Sequence, residues 1–108
     1  MSNDKKKTGR KNKGDIQVLE RQKVKRPRRY KVVLHNDDYT PRRFVVQVLE
    51  EVFRLSQAQA ASIMMHVHNN GRGIVGTYSH EIAESKSQQT NKLARGFGYP
   101  LTTTTEPE

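Results

Sequence analysis

The feature that most constrains the fold is an apolar run that stops at three polar side chains and is followed at once by a helix start. Residues 32–34 are Val-Val-Leu, residues 36–38 are Asn-Asp-Asp, and Thr40 and Pro41 then open a segment of helical periodicity. A proline at the first helical position, behind a threonine hydroxyl that can accept from an orphan N–H, is typical of a helix N-terminus. The stretch therefore predicts a strand, a short polar turn and a helix in direct succession.

The polar cluster at 36–38 has two interpretations. Small acceptors held between a strand end and a helix start are rigidly aimed and suit a cationic ligand. Alternatively, Asn and Asp side chains accept from nearby backbone N–H groups and simply form an Asx-type turn. The local sequence is compatible with both.

The rest of the chain alternates between helical and strand patterns. Ser56 and Gln59 form a capping box, Gly71 stands at a left-handed helix end, and Ser79 caps a further helix. The predicted elements are strand Arg29–His35, helix Pro41–Arg54, helix Gln57–Asn70, strand Gly73–Tyr78, helix His80–Ala94 and strand Leu101–Thr105. This order, β-α-α-β-α-β, predicts a small α+β domain in which a three-stranded antiparallel sheet packs with three helices. The Thr-rich last strand is expected at an edge.

Charge is distributed unevenly along the chain. Of 108 residues, 20 are Lys or Arg and 11 are Asp or Glu, which gives a net charge of +9. Residues 1–29 contain twelve of the basic residues and three acidic ones, whereas residues 30–108 contain eight of each sign. We therefore predict a disordered basic extension at 1–27, which buries too little surface to order, and a domain at 28–108. The domain has no basic excess with which to grip a phosphate backbone.

Composition and motifs exclude several classes of site. The chain has no cysteine, which excludes disulfides and thiolate metal sites. No apolar run approaches the roughly 20 residues of a membrane span, and the N-terminus lacks the apolar core of a secretory signal. Residues 71–76 fit G-x-G-x-x-G, but they follow a helix and enter a strand, which is the wrong context for a dinucleotide site. We interpret them as a helix stop with close packing.

No catalytic or metal constellation is predicted, and no cofactor is expected. No serine stands in a Gly-x-Ser-x-Gly elbow, and no lysine is embedded in an apolar helix face. His66 and His68 project about 200° apart on their helix and cannot share a metal ion. Asp37 and His68 alone are too few ligands to indicate a metal, and with Asp38 they are the only candidates for acid–base chemistry. The buried side of the same helix is predicted to contain Ala60, Ala61, Ile63, Met64, Val67 and His68.

A set of motifs then occurs in a characteristic order. The motifs are Tyr-Lys-Val-Val-Leu-His-Asn-Asp-Asp-Tyr-Thr-Pro from residue 30, Phe-Val-Val-x-Val-Leu from 44, Met-x-x-Val-His from 64, Gly-Arg-Gly from 71, Glu-Ile-Ala-Glu-x-Lys from 81 and Tyr-Pro-Leu from 99. Over about residues 28–106 the chain closely resembles ClpS, the bacterial adaptor that passes substrates to the ClpAP protease. The combination of Asn-Asp-Asp-x-Thr-Pro with the Val-His helix carries the resemblance.

The resemblance implies a non-enzymatic, cytoplasmic adaptor for N-degrons, which are proteins whose first residue is Leu, Phe, Tyr or Trp. The α-ammonium would donate to Asn36, Asp37 and His68, because a cation with several N–H donors needs acceptors. The first side chain would enter an apolar pocket lined by Leu34, Thr40, Val45, Met64, Val67 and Leu101.

The resemblance also implies a partner, the N-terminal domain of a ClpA-type AAA+ unfoldase that feeds ClpP. Tyr78, Glu81 and Lys86 match the surface that docks on this domain. The N-terminal extension matches the segment that family members use to hand substrate over.

The chain departs from the family pattern at Arg42, where an apolar gate, often Met, is usual. We therefore expect a working pocket of altered strength or selectivity, as in a specialised paralogue. The C-terminal Thr run is also less apolar than the usual ending. The alternative function is a small nucleic-acid-binding protein acting through the basic extension; a metal- or carboxylate-dependent enzyme is a third. Neither a membrane nor nucleic acid is the expected partner of the domain.

Overall fold

The computed structural model describes residues 27–108, so the extension predicted at 1–27 lies outside the described residues except for Pro27. The elements are β1 (Arg29–His35), α1 (Arg42–Phe53), α2 (Gln57–Asn70), β2 (Arg72–Ser79), α3 (His80–Gly96) and β3 (Thr102–Pro107). The predicted α+β class and the order β-α-α-β-α-β are confirmed. The bounds of β1 and α2 agree with the prediction, and the other four differ by one or two residues at their ends.

The sheet has the order β2-β1-β3, with both neighbours antiparallel to β1. The Thr-rich β3 is an edge strand, as predicted. The pairing of Arg29 with Ser79 brings the start of β1 beside the start of α3. The pairing of His35 with Arg72 brings its other end beside the end of α2. These two ends lie about 20 Å apart, since a strand rises about 3.3 Å per residue.

The core lies between the sheet and the helices and determines where the site can form. Its buried members come from every element except β3: Val32, Leu34, Phe44, Val45, Val48, Leu49, Val52, Phe53, Ala60, Val67, Val75, Ala83 and Ala94, with Leu101 just before β3. Burial of each large apolar side chain contributes about 1.5–3 kcal/mol. Because Leu34, Val45, Val67 and Leu101 belong to this cluster, the part of the core nearest the end of β1 is held by four separate segments.

The start of α1 differs from the prediction. The helix begins at Arg42 with Pro41 at the N-cap position, and no side chain caps it. The Thr40 hydroxyl instead donates to Asp37 Oδ2 at 2.8 Å, so its predicted capping role is wrong. The helix starts one residue later than predicted, so Thr40 lies outside the N-cap position, and its hydroxyl donates to a carboxylate three residues away, which is a strong acceptor.

The predicted start and end of α2 are confirmed. Ser56 and Gln59 form both bonds of the capping box, and Gly71 ends the helix with φ 89°. A Cβ at Gly73 would lie 2.9 Å from the Val67 side chain, which shows how closely β2 passes α2. The G-x-G-x-x-G residues therefore act as a helix stop with close packing.

Helix α3 covers the outer edge of β3 through a buried polar cluster. The Thr103 N–H donates to Asn91 Oδ1 at 2.7 Å, and Asn91 Nδ2 donates to the Thr103 carbonyl at 3.0 Å. The Ser87 and Thr103 hydroxyls lie 2.7 Å apart. The Asn91 amide thus occupies the backbone positions that a further strand would use, and it protects an edge that would otherwise recruit another chain.

Candidate functional site

A cleft of about 180 Å³ opens at the end of β1, between the start of α1 and the end of α2. Its wall brings together all ten residues that the sequence assigned to ligand binding: Leu34, Asn36, Asp37, Thr40, Arg42, Val45, Met64, Val67, His68 and Leu101. His35 and Asp38 also line it. The site therefore combines an apolar floor with a polar rim.

The apolar part of the cleft is rigid. Leu34, Val67 and Leu101 are each less than 5% exposed, and Val45 is 8% exposed. Met64 is half-buried and packs against this cluster. Since the floor is part of the packed core, its shape is set by the fold rather than by the ligand.

Asp37 is the best-anchored polar group of the rim. Its Oδ1 accepts from the backbone N–H groups of Tyr39 at 2.8 Å and Thr40 at 2.7 Å, and its Oδ2 accepts from the Thr40 hydroxyl. The Asx-type interpretation is therefore confirmed for this residue. One lone pair of Oδ2 remains for a ligand, and the carboxylate is held at the cleft wall by the turn that it organises.

Asn36 and Asp38 flank this anchored carboxylate. The Asn36 N–H donates to the Gly71 carbonyl at 2.9 Å, which ties the loop to the end of α2. Both side chains are exposed, and neither hydrogen-bonds to another side chain or backbone group within residues 27–108. The Asn36 amide oxygen is thus an acceptor without a protein partner in this part of the chain.

His68 differs from the prediction. It was expected on the buried side of α2, but it is exposed, because the cleft removes the neighbour against which that side of the helix would pack. Its Nε2 lies 2.7 Å from Arg42 Nη2. A guanidinium has no acceptor, so in this contact Arg42 is the donor and His68 Nε2 is the acceptor.

Arg95, which no sequence motif singled out, holds one wall of the cleft. Arg95 Nη1 donates to the carbonyls of Tyr99 at 2.8 Å and Leu101 at 2.6 Å, and Nη2 donates to the Thr102 hydroxyl. These bonds fix the turn that carries Leu101 into the floor. No local pattern in the sequence indicates that a residue near the end of a helix bonds to the backbone of the following turn.

A second surface lies at the opposite end of β1, where the structure places Tyr78, Glu81 and Lys86. A shallow cleft there is lined by Glu81, Ile82, Ser85, Lys86 and Gln89, and Ile82 is 48% exposed. Burial raises the pKa of the Tyr78 phenol above its ordinary value.

Lys86 is less exposed than its assignment to a docking surface suggests. Its Nζ donates to the Val52 carbonyl at 2.9 Å and lies 5.8 Å and 5.5 Å from the ring centroids of Phe53 and Tyr78. The Lys86 ammonium is therefore engaged by groups of the domain itself. The last carbonyls of a helix lack intrahelical partners, and here a lysine from α3 supplies one.

The described part of the chain contains neither a metal-binding cluster nor a membrane-spanning helix. Residues 27–108 contain no group of three or more His, Cys, Asp or Glu side chains placed to hold a metal ion. No helix within them has the length and apolar composition needed to cross a bilayer.

Comparison with known sequences adds independent evidence. The family model of the ATP-dependent Clp protease adaptor protein ClpS matches residues 25–104. The chain is 47% identical over 95 residues to the ClpS of Desulfatibacillum aliphaticivorans, covering 88% of this chain and 91% of that protein. It is 50% identical over 88 residues to the ClpS of Myxococcus xanthus, covering 82% of each.

A solved structure resembles the fold closely. ClpS2 of Agrobacterium tumefaciens, bound to L-phenylalaninamide, superimposes with a TM-score of 0.76 at 47% sequence identity. The match covers 77% of this chain and 100% of that one. The ligand of that relative is a single large residue with a free α-amino group.

Proposed function

The chain belongs to the ClpS family, the adaptor proteins of the ATP-dependent Clp protease, and from this premise we propose that its cleft binds the first residue of N-degron proteins. It is an adaptor rather than an enzyme. The observation that carries the proposal is the cleft at the end of β1, where a rigid apolar floor lies beside an anchored carboxylate. One end of this site suits a large side chain and the other a cation.

The rim supports recognition of a free α-ammonium. Asp37 presents a negative charge and one remaining lone pair, and the Asn36 side chain presents a further acceptor. An ammonium has three N–H donors, and hydrogen bonds between ionised groups are about twice as strong as neutral ones. We assign Asn36 and Asp37 as the primary amine-binding residues and His68 as a further acceptor.

The floor supports selection of Leu, Phe, Tyr or Trp as the first residue. A large apolar side chain that contacts Leu34, Val67 and Leu101 gains about 1.5–3 kcal/mol from burial. A charged side chain would instead lose its hydration against the same surface without finding a partner. Thr40, Val45 and Met64 complete the proposed pocket, with Arg42 at its rim.

We further propose that the bound protein is handed to the N-terminal domain of a ClpA-type AAA+ unfoldase for degradation by ClpP in the cytoplasm. The residues assigned to this contact, Tyr78, Glu81 and Lys86, lie at the end of β1 opposite the cleft. Both partners therefore fit on one domain, taken as residues 28–108, without overlap. Pro27, the last residue of the extension, precedes the start of β1 by two residues and so adjoins the unfoldase-facing end.

Blocking the ligand's amine is the test of the peptide site. We expect a Phe-initial peptide to bind the full chain in the micromolar range, and its N-acetylated twin to bind about 10- to 100-fold more weakly, because acetylation removes the charge that the rim recognises. Fluorescence anisotropy titrations of the two labelled peptides measure this ratio. Equal affinities would refute the proposed function.

A charge reversal tests the unfoldase contact separately. Glu81→Lys is expected to leave peptide affinity unchanged but to slow degradation of a Phe-initial substrate by purified ClpAP about tenfold, because it places a like charge beside Lys86 and inverts the docking surface. Glu51→Lys is the matched control, since Glu51 is also exposed and lines a different groove, together with Arg43 and Gln47. Undiminished degradation with the Glu81 variant would argue against the assignment.

A further inference from the structure

We propose that Arg42 is an internal competitor of the ligand's α-ammonium, an inference that rests on the function proposed above. Its Nη2 lies 2.7 Å from His68 Nε2, and both side chains line the cleft. Because a guanidinium only donates, it occupies the same acceptor that an incoming ammonium would use. Ligand binding at His68 is then an exchange of one cation for another.

The contact joins two helices across the cleft. Arg42 is the first residue of α1, and His68 lies in the last turn of α2. Both are exposed, so their hydrogen bond lies at the rim and not in the floor. The apolar pocket therefore keeps its shape while Arg42 occupies the acceptor nitrogen of His68.

Local electrostatics favour this interpretation over a purely structural role for Arg42. The first turn of α1 contains Arg42 and Arg43 and no acidic residue, so two cations stand at the positive end of the helix dipole. That position is unfavourable for a cation, and Arg42 relieves it by reaching His68. When an ammonium displaces it, the exposed Asp38 carboxylate in the same cleft wall is available to accept the guanidinium.

The exchange makes a distinctive thermodynamic prediction. In the wild-type chain the bond from the ligand to His68 replaces the bond from Arg42, so the two largely cancel and loss of His68 costs little affinity. Without Arg42, the ligand gains its bond to His68 in full. Removal of the imidazole should therefore cost more in the absence of Arg42 than in its presence.

The experiment is a double-mutant cycle on the full-length chain, with a labelled Phe-initial peptide titrated into wild type, Arg42→Met, His68→Ala and the double variant. We expect Arg42→Met to bind about 3- to 10-fold more tightly, the scale of one exposed charged hydrogen bond that no longer has to be broken. Arg43→Met removes the same charge one residue along α1, outside the cleft, and should stay within about twofold of wild type. Arg42→Gln, which removes the charge and keeps a polar side chain, should also bind more tightly than wild type. Thermal melts verify that each variant is folded.

The double-mutant cycle distinguishes competition by Arg42 from other roles of this residue. His68→Ala should weaken binding less than about threefold in the wild-type background and about tenfold in the Arg42→Met background. A larger effect with Arg42 present would mean that Arg42 orients the imidazole for the ligand, and that result overturns the inference, as does unchanged or weaker binding by Arg42→Met. If neither wild type nor Arg42→Met distinguishes the free-amine peptide from its acetylated twin, the proposed function itself fails.

Discussion

Replacement of Asp37 by alanine is expected to weaken binding of a Phe-initial peptide by more than about 100-fold, because it removes the proposed charge-assisted partner of the amine and the acceptor that holds the turn at the rim. Three donors, two backbone N–H groups and the Thr40 hydroxyl, converge on this carboxylate. Without it, Tyr39 and Thr40 lose their common acceptor, and the loop before α1 loses its fixed course. Anisotropy titration measures the affinity. Hydrogen exchange at the amides of residues 39 and 40 measures whether the loop keeps its hydrogen bonds.

The conservative variant Asp37→Asn separates the two contributions. Its amide oxygen can still accept from the two backbone N–H groups, so the loop should persist with slow amide exchange, while the missing charge should weaken binding about tenfold. If Asp37→Asn binds as poorly as Asp37→Ala while its loop stays ordered, the charge alone matters. If Asp37→Ala retains wild-type affinity, the carboxylate has no part in ligand binding.

Replacement of Asn91 by alanine is expected to lower the free energy of unfolding by about 2–4 kcal/mol, the largest stability effect that we predict for a polar residue of this chain. Thr103 is 2% exposed, and the Asn91 amide satisfies both its N–H and its carbonyl. Truncation would leave the buried N–H without a partner and would uncover the edge of β3. We therefore also expect the variant to aggregate more readily.

Urea unfolding followed by circular dichroism measures the Asn91 effect, and Gln88→Ala is the matched control. Gln88 is an exposed amide on the same helix, so its truncation should change stability by less than about 0.5 kcal/mol. If the two variants proved equally stable, the edge of β3 would not depend on this amide.

Much of the fold followed from local rules. Three features depend only on residues within a few positions of one another: the capping box of Ser56 with Gln59, the left-handed Gly71 and the strand-then-turn pattern before Asp37. The local sequence was therefore sufficient to predict them. The membership of the cleft was predictable for a similar reason. Val67 and His68 follow Met64 by three and four residues and share one side of α2 with it, and the family resemblance supplied the facing segments.

What the side chains do within the cleft depended on contacts that no local pattern encodes. Arg42 meets His68 across 26 residues of sequence, Arg95 bonds to the carbonyls of a turn, and Lys86 bonds to the last turn of a distant helix. Thr40 was assigned to the wrong partner because α1 begins one residue later than predicted, which leaves the Thr40 hydroxyl outside the N-cap position and beside Asp37. Periodicity and capping are properties of neighbouring residues and so can be predicted from the sequence. The pairing of remote polar groups depends on how the elements pack, and only the tertiary structure determined it.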